Sequence, residues 1–285
     1  MAATQAALFY RVHAMDATIA ALRIYPVKSC RGLELASALV TERGLLHDRE
    51  WMIVDGTGRF LSQREAPRLA LIVPVLSETT LDLKAPGKTP LTLPLEASGP
   101  MLPVTVWHDS LTAIDQGEAA AAWVSAWIEA EARLVRFDSR LRRECNRAYA
   151  GETGAHTAFA DAYPLLVLSE ASLADLNRRL ESPLPVDRFR PNIVLAGIDA
   201  YDEDHIETIT VSGVTMRLVK PCTRCVITTT DQETAERSDE PLATLASYRM
   251  NEALGGVAFG VNAIILAGAG SEIRVGATAS CSLRF

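Results

Sequence analysis

Residues 220–231 read KPCTRCVITTTD. The stretch sets Cys222 and Cys225 three positions apart, with Thr223 and Arg224 between them, and gives way at once to β-branched residues. The strands around this loop decide what its thiols can be for. A thioredoxin-like pair sits where a strand runs into a helix, and nothing after Cys225 signals a helix. A zinc ribbon uses the same spacing but needs a second pair of ligands. The sequence has no second C-x-x-C and no H-x-x-x-H, and its histidines are scattered at 13, 47, 108, 156 and 205. Two further readings stand beside these: a pair of buried, inert thiols, or a single thiolate ligand for a transition metal. In the last case Arg224, beside Cys225, and Lys220 nearby would favour the anionic sulfur. Such a site would also attract an anionic cofactor.

Outward from that loop the chain reads mostly as strand. IETITVSGVTMRLVKP (206–221) predicts a hairpin turning at Ser212-Gly213 and running straight into the cysteines. VITTT is expected to leave the loop as a strand, and VAFGVNAIILAGAGSEIRVGA (257–277) to be β again. DEPLATLASYRMNEA (239–253) places Pro241 at a first helical position, with Leu242 and Leu245 inward. YPLLVLSEASLADLNRRLESPLPVDRFRPNIVLAG (163–197) reads strand, helix, loop, strand. Ser169 or Ser172 caps that helix, and Leu173, Leu176 and Leu180 form its buried stripe.

The first half is also β-rich. TIAALRIYPV (18–27), REWMIVD (49–55), LALIVPVL (69–76) and LTLPL (91–95) read as strands separated by turn residues such as GTGR and APGKTP. DQGEAAAAWVSAWIEAEARLVRF (115–137) changes period. Trp123 and Trp127, like Val124 and Ile128, are spaced i,i+4, which predicts an amphipathic helix with the tryptophans in the core. DSRLRRECNRAYAGETGAHTAF (138–159) is charged and aperiodic and is expected to be a long, mobile loop.

Composition bounds the function. At 285 residues, 48% apolar and 22% charged, the chain is an ordinary globular one with room for one large or two modest domains. A formal charge of −7 disfavours nucleic-acid partners, which need a basic stripe. No apolar run approaches the roughly 20 residues of a membrane span. Residues 1–17 lack the apolar core of a secretory signal and are expected to be a short tail or leader. An odd cysteine count (Cys30, Cys145, Cys222, Cys225, Cys281) argues against a disulfide framework and for a reducing compartment, the cytoplasm.

Seven stretches then agree with one family. YPVKSCRG, HDREWMIVD, SQREAPRLALI, FADAYPLLVLSEASLADLN, FRPNIVLAG, KPCTRCVITTTD and EPLATLASYR occur in register over residues 18–276. Together they resemble the MOSC proteins that carry a MOSC N-terminal β-barrel, and among them the amidoxime-reducing components and their bacterial relatives. The resemblance implies an α+β fold of mainly β-barrel-like sheets. It would divide into a tail (1–17), a MOSC N-terminal β-barrel (18–115), a connecting helix (116–139) and a MOSC domain (140–285), with the cofactor in the cleft between the two halves.

The resemblance also implies the molybdenum cofactor, a molybdopterin whose metal takes one protein thiolate. Cys225 matches that metal ligand, and Cys222 matches a neighbouring position near the metal. Lys28, Ser29 and Arg49 match cofactor contacts in the barrel half; Arg190 and Asn192 match those of the other half, and Asp161 lies in a stretch that lines the pterin. Arg224 completes the set, and Asp231 is a candidate proton carrier. The activity implied is reduction of N-hydroxylated small molecules such as amidoximes, hydroxamic acids or hydroxylated nucleobases. No four-cysteine ferredoxin motif follows, so electrons are expected from a separate donor protein of flavin, ferredoxin or cytochrome type. The alternative is a non-catalytic cofactor carrier or sulfur-handling protein using the same pocket. Two departures stand out. Asp231-Gln232 replaces the frequent Asp-Pro, and VGATASCSLRF lacks the usual acidic Gly-Asp, leaving Cys281 as an expected surface thiol.

Overall fold

Seven strands close on themselves in the half of the protein that carries the cysteine loop. The computed structural model describes residues 14–96 and 98–284. Around the barrel lie Leu165–Ser169, Ile193–Ala196, Ala14–Ile24, Thr278–Leu283, Ile206–Val211, Val214–Thr223 and Gly256–Ala267, the last pairing back onto Leu165–Ser169. Leu165–Ser169 and Ile193–Ala196 are parallel, so their connection needs a crossover, supplied by the helix Glu170–Arg179. Ser169 caps it by accepting from the Ser172 N–H; Leu176 is fully buried beneath it, and Leu173 and Leu180 pack partly buried.

Strand Ala14–Ile24 shows how sequence period sets the barrel wall. Ala17 and Ile19, then Leu22 and Ile24, face the core, and the change of parity coincides with a register shift between Ile19 and Ala21. Because this strand pairs with Ile193–Ala196 and Thr278–Leu283, residues 18–24 help close the barrel of the second half. The expected tail lies outside the described residues as far as 13, and 14–17 already belong to this strand. Cys281 alternates inward with Ala279 and is fully buried. The surface thiol expected there is therefore corrected: the period of the last strand points it into the barrel core.

The other half is built on a four-stranded sheet ordered Trp51–Asp55, Ala132–Phe137, Asp109–Asp115, Met101–Val106. Trp51–Asp55 is buried on both faces. Trp51 and Ile53 enter one core with Leu69, Ile72, Val124 and Trp127, while Met52 and Val54 enter another with Val104, Phe137 and Phe159. The helix Glu118–Ile128 belongs to this half and is not a connector, since the strand that follows it pairs back onto Trp51–Asp55. Its Trp127 is buried and donates its indole N–H to the Arg68 carbonyl at 3.0 Å.

Three local expectations are corrected. In LALIVPVL, residues 67–71 form a 3-10 turn and only Val73–Leu76 is strand, because Pro67 starts the turn with its φ already set. VITTT is also a 3-10 turn, Val226–Thr229, in which Thr228 and Thr229 hydroxyls donate back to the carbonyls of Cys225 and Val226 at 3.0 and 2.8 Å. Such local bonds compete with a strand ladder. Residues 138–159 are not an irregular loop throughout: they carry the short strands Arg143–Glu144 and His156–Thr157 and the helix Arg147–Ala150, and Arg143, itself buried, donates to the carbonyls of Ala158 and Asp161 at 3.1 and 3.0 Å and to the Asp109 carboxylate at 2.6 Å. Among the described residues no helix is long and apolar enough to cross a membrane.

Candidate functional site

The cysteine loop opens onto a cavity between the two halves. Strand Val214–Thr223 ends there, with register shifts at Leu218/Lys220 and Pro221/Thr223. Pro221 has no N–H to give the ladder, and the pairing resumes only at Thr223 with Ala258, so Cys222 sits in the irregular stretch between them. Cys225 then caps the 3-10 turn, its carbonyl accepting from the Thr228 N–H at 3.0 Å. Both sulfurs line the cavity and neither thiol is buried.

The facing wall comes from YPVKSC and HDRE. Pro26 stops the first strand, and the next residues fasten to the sheet: the Lys28 N–H donates to the Trp51 carbonyl at 2.8 Å, and the Arg49 N–H to that of Tyr25 at 2.9 Å. Ser29, Arg49 and Arg190 all hold left-handed backbone, with φ of 68°, 48° and 56°. That conformation is costly for non-glycine residues, and here it recurs at three places on one cavity wall. Arg49 and Arg190 both pack over the Tyr25 ring, each 4.2 Å from its centroid.

Electrostatics set this cavity apart from the rest of the surface. Lys28, Arg49, Arg64, Arg190 and Arg224 line it against the single carboxylate of Asp161. Burial, then the neighbouring Arg49, pull the Arg190 guanidinium down to about 10, which still leaves it charged at neutral pH. Burial lowers the Lys28 ammonium, and Asp161 pulls it back. For Asp161, removal from water opposes ionisation, but Lys28, the Trp107 indole and Arg64 outweigh it and hold the carboxyl well below the carboxylate range. With more than half of its carboxylate exposed, the charge partners are the causes that count.

The structure brings Lys28, Ser29, Arg49, Asp161, Arg190, Asn192, Cys222, Arg224 and Cys225 to one cavity. Three roles differ from the sequence-based expectations. Asn192 also supports the wall: its oxygen accepts from the Leu166 N–H and from Arg49, each at 3.1 Å, and its amide donates to the Arg23 carbonyl. Asp231 lies outside the lining; its carboxylate takes Arg188 at 2.8 Å and the N–H groups of Glu233 and Thr234. Burial opposes its ionisation, yet these donors hold the carboxyl below its usual range while it anchors the turn. Arg224 contacts Cys222, at 2.9 Å. The cation on Cys225 is Arg64, whose Nη2 lies 3.0 Å from the sulfur. Arg64 stands inside SQREAPRL, and only its meeting with a residue 161 positions away reveals it.

The lining fits a large anionic cofactor. Arg190 Nη2 and Arg224 Nε are buried with no hydrogen-bond partner among the described residues. Buried donors are nearly always satisfied, so these two call for an acceptor in the cavity. Phosphate and pterin acceptors would meet these donors, and an accessible cysteine sulfur beside them suits a soft metal.

Comparison with known proteins identifies the family. Residues 16–131 match the family described as the MOSC N-terminal beta barrel domain, and residues 154–279 match the MOSC domain. Mitochondrial amidoxime-reducing component 1 of Mus musculus is 40% identical over 243 residues, covering 82% of this chain and 72% of the mouse protein. The Homo sapiens component 1 is 38% identical over 242 residues, covering 81% and 72%. Mitochondrial amidoxime reducing component 2 of Rattus norvegicus is 36% identical over 246 residues, covering 82% and 72%.

Proposed function

The chain belongs to the MOSC family, in the form that joins a MOSC N-terminal beta barrel domain to a MOSC domain, and from this we propose that it is a molybdenum-cofactor enzyme that reduces N-hydroxylated compounds. One observation carries the reading: accessible sulfur, a cationic lining and unpartnered buried donors meet in a single cavity. When bound, the cofactor would supply a redox-active molybdenum able to pass two electrons into an N–O bond.

The chain's own residues divide the remaining work. Cys225 is the thiolate ligand, and Arg64 orients its sulfur. Arg190, Lys28, Arg224 and Ser29 hold the anionic cofactor by charge-assisted bonds. Arg49 is fixed by Asp48 and Asn192 and sets the angle at which Arg190 is presented. Asp161 is kept ionised by Lys28, so it accepts and does not donate, and the protons consumed with the electrons come from water. Electrons come from a separate donor protein, as the resemblance to the amidoxime-reducing components implies. The free thiols suit a reducing compartment, for which we infer the cytoplasm; the named relatives are mitochondrial.

The test has two stages. Purified protein is analysed for molybdenum and for pterin fluorescence, and metal-containing protein is then assayed with benzamidoxime or N-hydroxyadenine. The expected result is molybdenum in the chain, no turnover with NADH alone, and turnover with a reduced viologen or an added flavin or ferredoxin-type donor. Absence of molybdenum after expression with excess molybdate rejects the cofactor. Molybdenum without turnover, even with the strong artificial reductant, leaves the carrier in front.

A further inference from the structure

Arg64 comes from the barrel half and reaches the sulfur of a loop in the other half. Its Nη2 lies 3.0 Å from Cys225 Sγ, its Nη1 3.4 Å from Ser62 Oγ, and its guanidinium carbon 4.8 Å from the centre of the Trp107 ring. A guanidinium offers five N–H donors and no acceptor, so donors remain on a side chain that lines the cavity. Trp107 backs it as a flat wall. The indole is 42% exposed, packs 5.0 Å from the Phe60 ring, and gives its N–H to Asp161 Oδ1 at 3.1 Å. Lys28 fixes that carboxylate from behind.

The geometry points to Arg64 as a specificity-determining residue that selects substrates with a hydrogen-bond acceptor beside the N–O group, hydroxamic acids over amidoximes. The inference rests on the reading that reduction takes place beside Cys225. A hydroxamic acid carries a carbonyl oxygen next to its N–OH, where an amidoxime carries an NH2. A donor-only guanidinium bonds the first and opposes the second. Sites built on such a bond discriminate far better than apolar pockets do, because a mismatched substrate leaves buried polar groups unpaired.

Benzhydroxamic acid and benzamidoxime share the phenyl ring and the N–OH group; the acid has a carbonyl oxygen beside it, and the amidoxime has an NH2 there with the double bond on the hydroxylated nitrogen. In molybdenum-loaded Arg64→Gln the ratio of their kcat/KM values falls about tenfold toward the amidoxime, the scale of one lost charge-assisted bond. Arg64→Lys, which keeps the charge, loses less. A parallel fall for both substrates, with the ratio unchanged, overturns the inference.

A second readout needs no cofactor. Iodoacetate and iodoacetamide alkylate the same sulfur in the same form, so their rate ratio cancels sulfur reactivity and reports how the carboxylate is received beside Arg64. Trypsin cuts after Arg224 and separates the two thiols for mass spectrometry. In the metal-free chain the ratio at Cys225 falls several-fold in Arg64→Gln at low salt, where a neighbouring charge is least screened; an unchanged ratio overturns the role. If the loaded wild type reduces neither compound, the reductase reading fails. The alkylation ratio then decides by itself whether Arg64 selects acceptors at this sulfur.

Discussion

Gln63 and Gln232 face each other as a closed amide pair across the two halves of the protein. Gln63 Nε2 donates to Gln232 Oε1 and Gln232 Nε2 donates to Gln63 Oε1, both at 3.0 Å, and both side chains are buried. Each amide makes one more bond, Gln63 to the Ser29 carbonyl at 2.8 Å and Gln232 to that of Thr230 at 2.9 Å. The pair thus ties the Ser29 turn to the loop beyond Cys225.

Truncating either glutamine strands the other in the interior. Gln63→Ala and Gln232→Ala should each cost about 1–3 kcal/mol, the penalty of a buried polar group left unpaired. The double variant should cost less than the sum by about 0.5–3 kcal/mol, because the second truncation removes the stranded group. Urea unfolding of the four proteins closes the cycle, and simple additivity would show that the amides do not interact.

This pair marks where the sequence stops being legible. Gln232 was visible as a departure from Asp-Pro, but its partner, 169 residues away, leaves no periodic trace. The same holds for Arg64 and Cys225. The strands and helices of the second half were readable because burial imprints a period, as in Ser169 capping a helix with Leu176 beneath it. The first strand's allegiance was not. Alternation in 17–24 shows that one face is buried, not which sheet buries it, and it pairs with strands from the far end of the chain. VITTT misled because β-branched composition carries no record of the threonine hydroxyls bonding backward.

Glu203 should give the fold a pH dependence unrelated to the site. It is 1% exposed; one oxygen accepts from the Ser169 N–H at 3.2 Å and the other has no partner among the described residues. Burial raises its carboxyl above the usual 4.5. An acid raised in the folded state holds its proton longer there than in the unfolded chain, so its contribution falls as pH rises from about 4.5 toward the raised value. Glu203→Gln cannot ionise and should lose less stability than wild type between pH 4.5 and 7. Parallel stability curves for the two proteins over that range would show that burial does not hold this proton.

The cations should separate into holders and supports. Arg190→Ala removes a guanidinium whose Nη2 is unpartnered and whose Nη1 serves only the Cys30 carbonyl, at 2.6 Å. It should lose cofactor retention by about 1.5–3 kcal/mol with little change in unfolding. Lys28→Ala should behave alike, since Asp161 keeps access to water. Arg49→Ala should instead also destabilise the chain, by about 3–5 kcal/mol, because it leaves the buried Asp48 carboxylate without its ion pair. Molybdenum content and denaturation midpoints measured on the three variants test the division. Full retention in Lys28→Ala and Arg190→Ala would place the cofactor elsewhere.

The two site cysteines should not be interchangeable. Arg224 is bound to Cys222 at 2.9 Å and to the Phe189 carbonyl at 2.7 Å, whereas Cys225 meets Arg64 from the opposite half. Cys225→Ala should therefore abolish molybdenum retention and N-reductive activity, and Cys222→Ala should leave much of both. Thiol titration of the metal-free chain guards against misfolding as the cause. Burial pushes the thiol of Cys30 up to about 12 and those of Cys145 and Cys281 to about 11, so at pH 8 only Cys222 and Cys225 should react quickly in native wild type, and only the remaining one in each variant. Additional fast thiols would report unfolding, and that variant's activity would say nothing about ligation. With the fold intact, equal metal loss in the two variants, or a disulfide joining the pair, would replace one-thiolate ligation with a zinc or redox role for the loop.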